Sequence, residues 1–434
     1  MLKQTLFLLF FLTIINFDTS GQVRYSIING KPATAAQLDS LNALRYQRRH
    51  FAALERFETY KKIENKDTIT WLNLSYGNFE SIPDWLFEFN NVKTLDLSHN
   101  RINKIDKRIK QLDSLKSINL SFNKLSSKKL KVKKNHNVQR LYLNDNNLSC
   151  LPKHVRKFKS LKEINLSSND FQGIPTYLKR NKMLTALTMN DNCMVLDNQK
   201  LHRLKQLEKL RLSKTGMNYI PDNFQSLTKL KELQLNSNDI KYLPDWIDTL
   251  QQLETIAIYK NSIDSIPEAF YNLKELREID IYFNNIERIS PKIKELKKLE
   301  ILYLSNNLLY SLPEELSQLY KLKKLYLHHN RLSELPVLTN FEDLRILRVN
   351  DNYITNFPDE VLQLTQLENL DVSNNKITQI PQGLLKLEKL DIFFFKENPI
   401  DYNSAQNAHI VETVNSMVER GAVVNPHSFE RVRR

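Results

Sequence analysis

Tyr259, Tyr282, Tyr303 and Tyr326 follow one another at intervals of 23, 21 and 23 residues, with Glu278, Asp280, Phe283, Lys324, His328 and His329 among them. These residue types suit recognition rather than bond-making. A tyrosine ring buries a large area at low entropic cost, and its hydroxyl and charged neighbours add polar contacts. The competing interpretation is that tyrosine is simply favourable on an exposed strand. A second cluster is basic: Lys128, Lys129, Lys131, Lys133 and Lys134 fall within seven residues. They lie in a segment, Arg101 to Lys162, that carries 18 Lys/Arg against Asp106, Asp113 and Asp145, while the whole chain is at +14. Such a patch attracts polyanions and steers acidic partners. Lysine is also an ordinary solvated choice, so ligand binding and plain surface both stay open. No aromatic residues interleave the lysines and no nucleic-acid module is present, so DNA and RNA are not expected partners.

Catalytic constellations are missing. The seven glycines, Gly21, Gly30, Gly77, Gly173, Gly216, Gly383 and Gly421, are never within five residues of one another. That excludes a phosphate-cradling loop of the usual spacing, a dinucleotide turn and a nucleophile elbow. Neither H-E-x-x-H nor C-x-x-C occurs. His328 and His329 are adjacent, and adjacent strand residues face opposite ways unless the strand has ended, so no metal site is expected. The reading is a protein that is not an enzyme and takes no cofactor.

What positions these side chains is a repeat. Leu253-x-x-Ile256-x-Ile258-x-x-Asn261-x-Ile263-x-x-Ile266-Pro267 returns as Leu299-x-x-Leu302-x-Leu304-x-x-Asn307-x-Leu309-x-x-Leu312-Pro313. The frame starts at Ile69 and recurs every 23 residues to Leu322, then resumes one residue early at Leu344, Leu367 and Leu390, giving fifteen units. A fixed period of this length means a stacked solenoid, in which each coil buries its apolar face only against its neighbours. In Leu-x-Leu the two leucines point into the coil and the residue between them points out, the alternation of a short strand. Positions 3, 5, 7 and 8 are therefore expected on one shared face, where the four tyrosines would form a continuous aromatic surface. Position 9 is Asn in thirteen units. A buried amide there can serve turning backbone groups that lack strand partners. Gly77 and Thr215 are the two exceptions. The second half, with Pro83, Pro175, Pro221, Pro244, Pro267 and their equivalents followed by apolar residues at i, i+3, suits a short helical turn.

The spacing L-x-x-L-x-L-x-x-N resembles the leucine-rich repeat family over about three quarters of the chain, and the proline form resembles its 23-residue class, shared by bacterial surface proteins and Ras-suppressor-like adaptors. The resemblance implies an α/β solenoid: a horseshoe with a parallel concave β-sheet, short helical or 3-10 convex segments and helical caps. It also implies a buried asparagine ladder and a protein-binding function.

At the start, Lys3, the apolar run Leu6–Phe17, and small residues Thr19 and Gly21 before Gln22 read as a secretory signal. The run is shorter than the roughly 20 residues a membrane helix needs, so no membrane span is expected. An uncleaved anchor or a buried helix are the rival readings. The organisation is thus a signal peptide at 1–21, an N-terminal helical cap at 22–68, repeats at 69–400 and a C-terminal cap at 401–434. The cap helices are expected near Thr34–Lys62, with Leu38, Leu41, Leu44, Phe51, Leu54 and Phe57 apolar, and near Ala405–Arg420, with Ile410, Val411, Val414, Met417 and Val418 on one face. The tail helix could instead bind a partner. Cys150 and Cys193 lie two coils apart, near 10 Å at about 4.8 Å per strand. That is beyond disulfide reach, so both are expected as free thiols that mostly fill packing space. Together these features predict an exported bacterial scaffold, secreted, periplasmic or on the cell surface. It would bind a protein ligand through Tyr259, Glu278, Asp280, Tyr282, Phe283, Tyr303, Lys324, Tyr326 and His328. The alternatives are an anionic glycan bound through 101–162, or an intracellular signalling adaptor.

Overall fold

Alternating leucines and a 23-residue period build a parallel sheet in a computed structural model that describes residues 27–28, 31–32, 34–127, 137–151, 155, 157–196 and 201–424. Each of the fifteen units contributes one three-residue strand, from Trp71–Asn73 to Ile392–Phe394, and every strand pairs in parallel with the next at the same repeat position. Asp280, for example, is in register with Tyr303, and Tyr303 with Tyr326. The sheet stays open, as in a leucine-rich repeat horseshoe. The leucines of each unit form one continuous core, with Leu253, Ile256, Ile258 and Ile263 fully buried in the ninth coil.

The strands are shorter than the alternation suggests. In the ninth unit the ladder proper spans Thr255–Ala257, although Ile258 and Lys260 still donate to Asp280 O and Tyr282 O of the next coil. The chain turns because the eighth residue of every unit adopts the left-handed conformation, from Tyr76 (φ 61°) through Phe283 (φ 55°) and His329 (φ 52°) to Glu397 (φ 57°). None of these fifteen residues is glycine. Left-handed backbone costs an L-residue roughly 1–2 kcal/mol, least for Asn and Asp. Asn306 holds such a turn at φ 54°. Asn306→Val should therefore lower the urea midpoint by an amount worth about 1–2 kcal/mol, because a β-branched side chain fits this region worst. Asn306→Gly should leave it unchanged or raise it. Equal midpoints for the Val and Gly variants would show that the turn carries no such strain.

The position-9 amides close the turn from inside. Asn284 is 6% exposed. Its Nδ2 donates to Ile258 O of the preceding coil (3.1 Å), Ile281 O (3.0 Å) and Tyr282 O (3.4 Å), and its Oδ1 accepts from Ile263 N (3.1 Å). Asn123, Asn330 and Asn375 repeat the set. The two exceptions have local reasons. A side chain at Gly77 would collide with the rings of Phe79 and Phe57. At Thr215 the hydroxyl donates to Leu212 O (2.9 Å) and the backbone N–H donates to Asn238 Oδ1 (2.8 Å). In both units a second left-handed residue follows, Asn78 (φ 58°) and Gly216 (φ 74°), so the turn is rebuilt from backbone where the amide is absent. Pro83, Pro221, Pro244, Pro267, Pro313 and Pro358 sit one residue ahead of a helical turn rather than inside it. Pro267 is extended (φ −67°, ψ 150°) before the 3-10 turn Glu268–Asn272.

Helix α1 spans Ala35–Lys62, capped by Thr34 and Gln37 through reciprocal hydrogen bonds. Its docking face differs from the expected stripe. Ala53 and Phe57 are buried, whereas Leu44, Phe51 and Leu54 are exposed. The reason is the unpaired edge of the first strand. Arg56 donates to Asn73 O (2.9 Å) and Ser75 O (3.1 Å), and His50 Nδ1 meets Tyr76 O (2.6 Å). Polar groups that have no preceding coil need partners, and α1 meets them with side chains. At the far end α2, Ile410–Glu419, buries Ile410, Val414 and Met417 but leaves Val411 and Val418 largely outside. Beyond it Val423–Val424 adds a sixteenth strand, which the repeat frame does not announce. Both cysteines are free thiols, yet exposed rather than used in packing. Positions 10 and 13 of a unit, which they occupy, lie outside the leucine pattern. The proposed signal, residues 1–21, lies outside the described residues. No helix among the described residues is long and apolar enough to cross a membrane.

Candidate functional site

The predicted patch assembles on the concave face, but as two stacked pairs rather than one continuous surface. Tyr259 and Tyr282 occupy position 7 of adjacent units and stack with centroids 4.8 Å apart. Tyr303 and Tyr326 occupy position 5 of the next two and stack at 4.6 Å with planes 13° apart. The two-residue offset between position 7 and position 5 separates the pairs along the strands. In the step between them sits Asp280, beside Tyr303 in the ladder. Phe283 stands edge-on to Tyr282 at 5.5 Å and is half exposed, with Lys260 Nζ 6.0 Å from its ring. His328 lies edge-on to Tyr326 at 6.4 Å and its Nδ1 shares a hydrogen bond with Ser305 Oγ at 3.0 Å. Arg348, one coil further, places its guanidinium 6.0 Å from the Tyr326 centroid. Lys324 is two coils from Glu278 at the same strand position and forms no ion pair among the described residues.

The electrostatics follow from burial between neighbouring rings. The Asp280 carboxyl is pushed up to about 7 by desolvation, against the backbone N–H of Tyr282, which donates to it at 3.4 Å, and with help from Glu278. Burial likewise raises Glu278. It raises the phenols of Tyr282 and Tyr303 too, with Tyr259 and Asp280 adding to the first and Tyr326, Glu278 and Asp280 to the second. His328 is lowered to about 4, chiefly by burial and then by His329 and Arg348, so its imidazole is neutral at physiological pH. The surface thus offers aromatic faces around a carboxyl that takes up charge only with difficulty.

This has a consequence for stability. Asp280 holds its proton more tightly folded than unfolded, where its value is near 3.8. Its stabilising contribution is present below pH 4 and is lost as pH rises toward 7. Melting temperatures across pH 4–8 should show the parent declining relative to Asp280→Asn, with the variant the more stable above pH 7. Parallel curves would place Asp280 in contact with water.

His328 and His329 do not face opposite ways, since the strand ends at Tyr326 and His329 is in the left-handed turn. Their rings lie 5.6 Å apart and His329 Nε2 is 3.4 Å from Asp351. No group of three potential metal ligands occurs among the described residues. Lys128, Lys129, Lys131, Lys133 and Lys134 lie outside the described residues.

A second aromatic row escaped the sequence reading. Tyr76, His99 and Phe122 occupy position 8 of the first three units and stack at 4.4 and 4.2 Å with planes within 10° of parallel. Tyr46 of α1 meets Tyr76 edge-on at 5.5 Å, and Arg49 lies over the same ring. The repeat frame contained the signal, since all three rings share one position.

The chain matches the family models described as leucine-rich repeat region, over residues 214–334, and leucine rich repeat, over residues 67–125 and 342–400. No curated protein matches it. Among solved structures it is similar to a leucine-rich repeat protein of Leptospira interrogans, at 26% identity and a TM-score of 0.70, covering 84% of this chain and 97% of that one. An internalin of Listeria monocytogenes, at 19% identity and 0.57, shares the fold over 73% of this chain and 84% of its own. The Arabidopsis receptor kinase HAESA, solved with the peptide hormone IDA and the co-receptor SERK1, is 25% identical at 0.59, over 78% of this chain and 64% of that one. Repeat frame, asparagine ladder and matched models agree, and the chain belongs to the leucine-rich repeat family.

Proposed function

We propose that this protein is an exported, non-enzymatic scaffold that binds a protein or peptide ligand on its concave face, with Tyr259, Tyr282, Tyr303 and Tyr326 as anchors and Glu278, Asp280, Phe283, Lys324 and His328 around them. The observation that carries this reading is the pair of tyrosine stacks. Each ring is held by its neighbour before any partner arrives, so little side-chain freedom remains to be lost on binding. Units five to eight bear no aromatic residue at positions 3, 5, 7 or 8, so the anchors form a patch rather than a general feature of the sheet. The peptide hormone held by HAESA and the apolar run at Leu6–Phe17 support a peptide ligand and an exported location respectively. The test is affinity capture with the chain beginning at Gln22, beside a variant with all four tyrosines changed to Ser. A ligand retained equally by both would remove the patch from the reading, and a native N-terminus at Met1 would remove export.

A further inference from the structure

Between the ninth and tenth units the convex charges are matched. Lys298 meets Glu275 at 2.6 Å, Lys274 meets Glu295 at 3.0 Å and Lys292 meets Glu268 at 3.1 Å, each pair joining adjacent units on the side away from the sheet. A run of basic side chains on units five to seven has no such partners among the described residues. Lys179, Arg180 and Lys182 of the fifth unit stand at the same repeat positions as His202, Arg203 and Lys205 of the sixth. With Lys229 of the seventh they line an open cleft of about 530 Å³. None of these six Lys/Arg has an ion pair with any described residue, and five of them are exposed. Like charges at the same position of adjacent coils repel. The cleft floor is fixed: buried Asn181 donates to Val155 O (3.1 Å) and Phe158 O (2.7 Å), and Gln206 donates to Asn181 O (3.4 Å).

We propose that this convex cleft is a binding site for a linear acidic polysaccharide, whose sulfate or carboxylate groups pair with Arg180, Arg203, Lys205 and their neighbours along three coils. The site shares no residue with the tyrosine patch or with the lysine-rich segment 128–134. Two features choose among polyanions. The one aromatic ring in the lining is the imidazole of His202, with no Phe, Tyr or Trp to give successive bases a stacking platform, which disfavours single-stranded nucleic acid. The lining contains no apolar side chain to insert below lipid headgroups, which disfavours a membrane surface. A row of cations repeated from coil to coil suits a chain that carries its charges at regular intervals. Guanidinium groups among them favour bidentate contact with sulfate or carboxylate.

The experiment titrates the chain beginning at Gln22 with a size-defined heparin oligosaccharide, single-stranded DNA of similar length and phosphatidylserine vesicles, across salt concentrations. Arg180→Gln/Arg203→Gln/Lys205→Gln is compared with Lys241→Gln/Lys321→Gln/Lys376→Gln, which removes equal charge from exposed positions outside both the cleft and the 101–162 segment. At physiological salt the cleft variant should bind heparin at least about tenfold more weakly, with a flatter salt dependence, and the control should stay within about threefold of the parent. The cleft variant should melt no lower than the parent, since repulsion is relieved. Lys179→Gln/Lys229→Gln provides a second, milder variant. Equal loss in the cleft and control variants would reduce the effect to net charge. DNA or vesicles bound as tightly as heparin through the cleft, or no heparin binding by the parent, would overturn the proposal.

Discussion

Tyr282→Ala and Tyr303→Ala should each weaken ligand binding by about 2 kcal/mol or more, roughly thirtyfold, while Thr188→Ala changes it little. The two tyrosines sit on either side of the step that holds Asp280, so each truncation opens a different stack. Removing Tyr282 also frees Tyr259, whose ring it holds at 4.8 Å, and removing Tyr303 frees Tyr326 at 4.6 Å. The loss therefore has two parts, the contact area of one ring and the preorganisation of another. For the same reason the double variant should lose less than the sum within a stack, as in Tyr303→Ala/Tyr326→Ala, and close to the sum across the step. Folding should suffer only slightly. The rings point away from the leucine core, and an aromatic pair contributes about 0.5–1.5 kcal/mol. Thr188 serves as the control because it lies at position 5 of an aromatic-free unit, on the same sheet. The measurement is a titration with the captured ligand beside thermal melts. Normal melts with unchanged affinity for both tyrosine variants would make the patch ordinary strand surface.

Legibility differed between the coil and what hangs on it. Positions 1, 4 and 6 repeat fifteen times and the asparagine at position 9 thirteen times, so each copy corrects the reading of the others, and both the parallel sheet and the asparagine ladder follow. Features that occur once lack that redundancy. The first strand has an open edge, and nothing in the apolar periodicity of α1 reveals that Arg56 and His50 will serve its carbonyls while Phe51 stays in water. The tyrosines were placed on the correct face, but position 5 and position 7 were read as equivalent. On a pleated strand they share a face yet lie one side-chain repeat apart, which is why Tyr282 and Tyr303 belong to different stacks. The position-8 turn was hidden for another reason. Left-handed backbone usually announces itself with glycine, and here His99, Phe122, Phe283 and His329 adopt it because the amide at position 9 holds the turn from inside. The basic cleft required adjacency between coils: Lys179 and His202 are 23 residues apart, and only the repeat frame makes them neighbours.

Asn284→Ala should destabilise the protein by about 3 kcal/mol, the upper end for one buried group left without a partner. The ladder spreads part of the damage. Ile281 O accepts from Asn284 and also from Asn307 of the next coil, and Ile258 O accepts from both Asn261 and Asn284. After truncation each carbonyl keeps one donor. Ile263 N has no such reserve: Asn284 Oδ1 is the acceptor it meets at 3.1 Å, and Ile263 is fully buried. With Tyr282 O, which also loses the amide's donation, the cost is one orphaned amide, three weakened carbonyls and the space of the lost side chain. Asn284→Thr should cost less than Ala, because Thr215 shows a hydroxyl donating to the equivalent carbonyl, Leu212 O, at 2.9 Å. It should still fall short of the parent, since the seventh unit also uses Gly216 at φ 74° and routes Met194 N to Thr215 O, whereas the tenth unit has Asn285 at that position. Adding Asn285→Gly to Asn284→Thr should recover part of the loss. Urea unfolding followed by circular dichroism orders the four proteins as parent, double variant, Thr and Ala. An Ala variant within 1 kcal/mol of the parent would mean that the turn is held by its backbone alone and that the asparagine ladder is dispensable at that coil.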